Sequence, residues 1–202
     1  VQVLDDAGDP QDISGGLIYN GDATIWGVEL EGQYLISENW LAGGAFSYAK
    51  GEWDDGAEAP CNDREPGEVL GSCDIGGEQL GGEPELTISL NSEFSVPFKS
   101  TEWYIRGLYK YTDERDNTSA SAGLGNTRAT FEDHHVINLY TGLRSSDYTW
   151  DVSIWAKNLL DSDDVTFEQG PDQYDIERSG GSYTQSNIQA ERTIGVTARY
   201  NF

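Results

Sequence analysis

The sequence predicts an all-β chain of antiparallel up-and-down strands, and two of its features carry that prediction. Apolar and polar residues alternate with a period of two in about seven segments. Each segment is close to the roughly 9–11 residues that a tilted strand needs to cross a bilayer. The connections between segments alternate between short turns and long polar loops, so that all long loops fall at one end of the sheet and all short turns at the other.

The first three strands are expected at Thr24–Ile36, Trp40–Trp53 and Pro84–Phe98. In the first, Trp, Val, Leu, Tyr and Ile occupy even positions, opposite Gly, Glu and Gln. The second is extended and aromatic, although alternation alone does not assign its two faces. The third alternates Leu, Ile, Phe and Val with Glu, Thr, Asn and Ser, as a strand with one apolar face requires.

Four further strands are expected at Glu102–Thr112, His135–Arg144, Tyr148–Lys157 and Thr193–Phe202. Each sets aromatic and aliphatic residues against charged or small polar ones. The last begins within "RTIGVTARYNF", where Ile, Val, Ala, Tyr and Phe alternate with Thr, Gly, Arg and Asn. We expect its end to lie at the periplasmic membrane boundary, with its apolar face toward lipid.

The connections predict a transmembrane antiparallel β-barrel. Structureless loops of such length are uncommon in compact soluble domains, whereas short periplasmic turns and long extracellular loops are typical of outer-membrane barrels. The tight turns are expected at Ser37–Asn39, Lys99–Thr101 and Ser145–Asp147, and the long loops at about Asp54–Glu83, Asp116–Glu132 and Asp161–Gln189.

Aromatic residues recur at one level, near the short-turn end of the strands. Ordinary β-propensity also favours aromatics in strands. Their recurrence in six strands instead favours a membrane-interface girdle, because such rings have one wet and one apolar side. The residues are Tyr34, Trp40, Phe98, Trp103, Tyr148, Trp150, Tyr200 and Phe202.

Composition excludes some functions. The net charge of -24 and pI near 4.1 argue against nucleic acid as a partner, because phosphate binding needs clustered Lys and Arg. No run approaches the roughly 20 apolar residues of a membrane helix. The sequence also has no Ser-His-Asp order, phosphate loop or C-x-x-C pair, so an enzyme is not expected.

Seven strands do not close a barrel, because the first and last run in the same direction and cannot pair antiparallel. We therefore expect residues 1–202 to be the C-terminal part of a larger barrel, with earlier strands absent. One alternative is a small self-contained outer-membrane barrel with a structural or adhesive role and an eighth strand within Val1–Tyr19. A soluble secreted β-sandwich that binds carbohydrate is the other.

Three segments resemble the late barrel of TonB-dependent outer-membrane receptors, in the family's order. They are "NGDATIWGVELEGQYLISENWLAGGAFSY", "WDVSIWAKNLLDSDDV" with its Asn-Leu-Leu-Asp motif, and "RTIGVTARYNF". The first departs from the family in that Asn20 directly precedes Gly21, one residue short of the usual spacing. The resemblance covers Asn20–Phe202.

The resemblance implies a 22-stranded plugged barrel in the bacterial outer membrane, with the plug and the TonB-contacting segment in an N-terminal region absent from this chain. It implies active import of a small-molecule ligand, such as a ferric siderophore or similar metal complex, in which no chemical bond is made. Importers of cobalamin, haem and oligosaccharide share this barrel. The long loops would be extracellular, facing lipopolysaccharide, and the C-terminus periplasmic.

Charged residues on the polar faces of the strands are expected to line the lumen, because charge at the lipid midplane is costly. Some would contact the plug or ligand, and most would form cross-strand ion pairs. They are Glu29, Glu31, Arg106, Lys110, Asp151, Lys157 and Arg199. His134 is a further lumen candidate; it and His135 are adjacent, so they cannot chelate one metal together.

The Asp54–Glu85 loop carries two further expectations. Cys61 and Cys73 form an even, isolated pair that fits an extracytoplasmic disulfide with a stapling role. The loop also holds ten carboxylates against Arg64 alone. These are expected to form a solvated acidic surface, or to bind Ca²⁺ loosely, and the same holds for Asp161, Asp163 and Asp164.

Overall fold

The computed structural model describes residues 21–60, 72–117, 129–169 and 185–202, together with the backbone of residues 3–4 and 10–11. Its described residues contain no helix that is long and apolar enough to cross a membrane. The strands are β1 (Val3–Leu4), β2 (Pro10–Gln11), β3 (Ala23–Ser37), β4 (Trp40–Trp53), β5 (Glu58–Pro60), β6 (Ser72–Asp74), β7 (Leu86–Phe98), β8 (Thr101–Thr112), β9 (Arg115–Asn117), β10 (Ala129–Phe131), β11 (His134–Ser145), β12 (Trp150–Lys157), β13 (Val165–Gln169), β14 (Gln185–Ile188) and β15 (Thr193–Tyr200).

Seven long strands form one antiparallel sheet in the order β15-β12-β11-β8-β7-β4-β3. Each of these strands pairs with the next long strand along the chain, which is the up-and-down topology that the sequence predicts. The all-β antiparallel prediction is thus confirmed. The bounds of the long strands agree closely with those expected from the sequence. The bounds of β4, Trp40–Trp53, are the same as those expected.

The three long connections contain strands of their own, which the sequence did not predict. Short antiparallel hairpins β5–β6, β9–β10 and β13–β14 extend beyond the long-loop end of the sheet. Their strands have only three to five residues. Strands of that length contain too few residues to show a clear alternation of apolar and polar side chains. Sequence periodicity therefore does not distinguish them from an irregular loop.

The register separates one polar face from one apolar face. Residues directly opposite in an antiparallel pair lie on the same face. Arg106 pairs with Glu93 on β7 and with Tyr140 on β11, and Tyr140 pairs with Trp155 on β12. On the other face, Ile105 pairs with Phe94 and with Thr141. The register therefore also assigns the faces of β4, which alternation left open.

The apolar face is uncovered. Leu30 is 64% exposed and Val196 68% exposed, and the described residues bury only three hydrophobic side chains, Ala57, Tyr104 and Phe131. A face of this size in water would be strongly unfavourable, whereas hydrocarbon stabilises it. Because no second apolar layer from the described part of the chain covers these strands, this sheet has the form of a membrane-barrel wall and not of a sandwich.

Aromatic residues lie at both ends of the apolar face. Tyr34, Trp40, Trp103, Trp150 and Tyr200 lie toward the short turns, as expected, and Phe202 stacks edge-on to Tyr200 at 5.2 Å. A second level, which was not predicted from the sequence, lies toward the long loops. It comprises Trp26, Tyr48, Tyr109 and Tyr111.

The two levels are separated by about the thickness of an outer-membrane apolar band. Trp103 and Tyr111 are eight residues apart on β8. At a rise of about 3.4 Å per residue they are ~27 Å apart along the strand, or ~21 Å along the membrane normal at a ~40° tilt. Known barrels have an apolar band of about 25 Å between their aromatic girdles. The interface role of the individual rings stays a prediction.

Tyr148 departs from the expected period. It lies in the turn before β12 with φ of 58°, and its ring centroid is 5.8 Å from the Arg144 guanidinium carbon on the polar side. The left-handed backbone conformation breaks the alternation, so Tyr148 does not continue the apolar row of Trp150 and Val152. Its placement on the apolar face was therefore a wrong expectation.

Candidate functional site

The polar face is the candidate functional surface, and all eight predicted lumen residues lie on it. The register spreads them over five strands instead of bringing them to one point. Glu29 and Glu31 are on β3, Arg106 and Lys110 on β8, His134 on β11, Asp151 and Lys157 on β12, and Arg199 on β15. Their contact with plug or ligand stays a prediction.

Toward the short turns, this face is held together by a chain of ion pairs. Arg106 Nε donates to Glu93 Oε2 at 2.6 Å, and Arg144 Nη2 lies 3.0 Å from Glu93 Oε1. Arg144 Nε also donates to Glu102 Oε2 at 3.0 Å. Glu93 therefore connects two arginines, and the network joins β7, β8 and β11.

Tyr104 extends this network to β12. Its hydroxyl donates to Asp151 Oδ2 at 3.0 Å, and its ring centroid lies 5.1 Å from the Arg144 guanidinium carbon. Arg106 and Asp151 are among the lumen residues predicted from the sequence, whereas their partners Glu93, Glu102 and Arg144 are not. Those partners occupy the polar positions of the same alternating strands, so a register built from the short turns would have paired them.

Two glycines let aromatic rings lie against the sheet beside the network. A Cβ at Gly195 would overlap the Trp155 ring, and one at Gly142 would lie 2.9 Å from the Tyr104 hydroxyl. Trp155 Nε1 donates to Thr197 Oγ1 at 2.9 Å, which fixes the ring over Gly195. Such aromatic–glycine pairs are a known means of packing and fixing register in sheets.

These groups line a cavity of about 540 Å³ on the polar face. Its walls combine aromatic rings with basic groups, and the Lys157 ammonium lies 5.1 Å from the Trp155 ring centroid. Arg199 faces it from β15, the edge strand of the sheet. The cavity is chemically suited to a ligand that carries hydrogen-bond acceptors and planar groups, since the planar groups can stack on the aromatic rings.

Toward the long loops, the Asn-Leu-Leu-Asp segment ties β12 to β15. Asn158 is 2% exposed, and its Nδ2 donates to Ser162 O at 2.7 Å and to Ala190 O at 2.8 Å. Asp161 Oδ1 accepts from the Arg192 backbone N–H at 2.9 Å, and its Oδ2 lies 3.2 Å from Arg192 Nη2. Asp161 therefore stabilises the start of the last strand.

The remaining loop expectations are only partly covered by the structure. Cys61 lies outside the described residues, so the Cys61–Cys73 pairing stays a prediction. Among the residues that the structure does describe, no three His, Cys, Asp or Glu side chains are grouped to hold a metal ion. Loose Ca²⁺ binding in the acidic loops likewise stays a prediction.

An antiparallel sheet with one lipid-compatible face and one charged face defines the chain as wall of a transmembrane β-barrel. A family model described as "TonB dependent receptor-like, beta-barrel" matches residues 1–159. The chain belongs to this family, whose members are outer-membrane transporters.

A solved structure gives the same fold. The ferric yersiniabactin uptake receptor FyuA from Yersinia pestis matches with a TM-score of 0.63 at 15% identity, over 90% of this chain and 24% of that chain. The present chain therefore spans about a quarter of that receptor. None of the curated proteins matches the sequence.

Proposed function

We propose that the chain is the C-terminal part of a TonB-dependent importer that carries a ferric siderophore or similar metal complex across the bacterial outer membrane. The observation that carries this proposal is the family match, on a sheet whose two faces suit lipid and a polar lumen. The chain shares its fold with a receptor for a ferric siderophore, and this shared fold is the support for the ligand class.

In this proposal, each part of the chain has a separate role. The apolar face of β3–β15 contacts lipid, and the ion-pair network of the polar face keeps the wall in register and contacts a plug domain. The three long connections with their hairpins face lipopolysaccharide and capture ligand outside the cell. TonB acts through the N-terminal region of the whole receptor and releases ligand inward, so this wall performs no chemistry.

Uptake of radiolabelled iron by cells tests the proposal. The full-length receptor is expressed in a strain that lacks its own siderophore receptors, with and without TonB, and is offered a panel of ⁵⁵Fe complexes. We expect receptor-dependent uptake of at least one complex, which is lost without TonB. Uptake that persists without TonB would contradict energised import. Failure with every iron complex, together with TonB-dependent growth on an oligosaccharide, would assign the receptor to carbohydrate import instead.

A further inference from the structure

Lys110 differs from the other basic residues on the inner strands of the polar face. Arg106 and Arg144 are ion-paired with Glu93, and the Lys157 ammonium lies over the Trp155 ring. No hydrogen bond, ion pair or ring contact joins the Lys110 side chain to any other residue that the structure describes.

The isolation of Lys110 is not an effect of the sheet edge. Its strand β8 lies between β7 and β11, and these are themselves flanked by β4 and β12. Lys110 is opposite Ser89 on β7, and Ser89 is opposite Ala45 on β4. The first acidic residue in this row of paired positions is Glu31 on β3, opposite Ala45. At about 4.8 Å per strand, the Glu31 backbone is ~14 Å from the Lys110 backbone.

The residues around Lys110 are uncharged, and they are both apolar and polar: Leu90, Leu108, Tyr109 and Val136 contribute to the cavity wall beside the polar side chains. Lys110 lines a cavity of about 290 Å³ together with Ser89, Asn91 and Asn138. His134 lies further toward the long loops, where the Asp164 carboxylate, which follows β12, and the Lys110 ammonium both act on its imidazole. This part of the wall carries no carboxylate from β7, β8, β11 or β12, although acidic residues outnumber basic ones 36 to 12 in the chain.

These groups supply hydrogen-bond donors, and no carboxylate of the described residues is hydrogen-bonded or ion-paired to them. The Lys110 ammonium has three donors, and the Asn91 and Asn138 amides add N–H donors. The Asn138 Oδ1 accepts from the Asn158 backbone N–H at 3.0 Å, which leaves the Asn138 amide N–H groups for a ligand. A cation among neutral donors selects an anionic oxygen group, because such charge-assisted hydrogen bonds are about twice as strong as neutral ones.

We propose that the cavity at Lys110, Asn91, Asn138 and Ser89 binds an anionic oxygen group, a carboxylate or phosphate-type oxyanion, of the imported ligand. This inference rests on the proposed import function and adds the charge of the ligand to it. The acidic hairpin β5–β6 follows β4, two strands from Lys110. Screening over about 8–10 Å at physiological salt limits its repulsion of an anion at this cavity.

Calorimetric titration of the intact, detergent-purified receptor with citrate and with inorganic phosphate tests the site. The wild-type receptor is expected to bind at least one of them saturably, and Lys110→Gln to weaken that binding at least tenfold, on the order of 1.4 kcal/mol. Asn91→Ala is expected to weaken it severalfold. Lys99→Gln, which removes the same charge from a short turn, is expected to change it less than twofold.

Two results would overturn the site. One is that the wild-type receptor binds neither anion saturably. The other is that Lys110→Gln lowers the unfolding temperature but leaves anion binding unchanged, because Lys110 would then serve a carboxylate of the receptor itself.

The uptake assay separates this site from the proposed function. A receptor that binds citrate through Lys110 but imports no iron complex would contradict import and retain the site. A receptor that imports iron complexes equally well with Lys110→Gln would contradict the site and retain import.

Discussion

Replacement of Asn158 by Ala is expected to destabilise the long-loop end of the sheet. The side chain is almost fully buried, and three hydrogen bonds converge on it. Its Nδ2 donates to Ser162 O and Ala190 O, and its Oδ1 accepts from the Ser162 N–H at 3.1 Å. The backbone of Asn158 is also left-handed, with φ of 48°, which Asn tolerates better than Ala does.

The magnitude follows from these contacts. Three hydrogen bonds at about 1 kcal/mol each give a loss of ~3 kcal/mol, and the left-handed conformation adds ~1 kcal/mol for Ala. We therefore expect Asn158→Ala to lower the free energy of unfolding by ~4 kcal/mol. Asn158→Gly should lose ~3 kcal/mol, because glycine avoids the backbone strain. Asn158→Asp should also destabilise, because it places a carboxylate oxygen against two carbonyl oxygens.

Urea unfolding of the intact receptor in lipid vesicles, followed by gel mobility with and without heating, measures these losses. Asn201→Ala is the matched control, because Asn201 is exposed and donates one side-chain hydrogen bond, to Tyr148 O at 2.9 Å. It should cost less than about 1 kcal/mol. A cost for Asn158→Ala no larger than that of the control would refute the role assigned to this residue.

Three further predictions concern single positions. Gly195→Ala should destabilise the receptor by about 1–3 kcal/mol in the same unfolding assay, because its Cβ would overlap the Trp155 ring; an unchanged midpoint would contradict that packing. Thr112→Val should stabilise it by about 1–2 kcal/mol, because Thr112 is 6% exposed and its buried hydroxyl has no partner among the described residues; a loss would show that the hydroxyl is bonded. Hydrogen bonds from Ser145 and Thr149 hold the Asp147 pKa below its ordinary value of 3.8, so this carboxylate stabilises the turn above about pH 4 and loses that effect as pH falls through the lowered pKa. The cost of Asp147→Asn should therefore shrink below pH 4, and a cost independent of pH would contradict the assignment.

The sequence was sufficient to predict the seven long strands, and the facing of all of them except β4, because one face of each of these strands is apolar. In Leu86–Phe98, for example, every second side chain from Leu86 to Phe94 except Ser92 is Leu, Ile or Phe, and a one-residue shift would reverse all of them. The turns at Lys99 and Ser145 then fix the strand order, since short connections join neighbours. Residues such as Arg106 and Asp151 were placed on the polar face by the same logic.

Other features depend on contacts that alternation does not encode. The partners of Asn158 lie four and 32 residues away, so its role follows from how β12 and β15 meet. Tyr148 continues the alternation in sequence, but a left-handed turn residue interrupts it in space. Lys110 and Arg106 are equivalent in sequence pattern, and only the register shows that Arg106 is opposite a glutamate while Lys110 is opposite a serine.

The central claim is that the polar face lines an aqueous lumen and the apolar face contacts lipid. Spin labels at Ser89 and Leu90, neighbours on the inner strand β7, test it most directly in the intact receptor in membranes, with other accessible thiols removed. We expect the Leu90 label to collide mainly with lipid-soluble oxygen and the Ser89 label mainly with a water-soluble nickel complex. The same accessibility at both positions, or the reverse order, would contradict the assignment of the two faces and the barrel-wall role that rests on it.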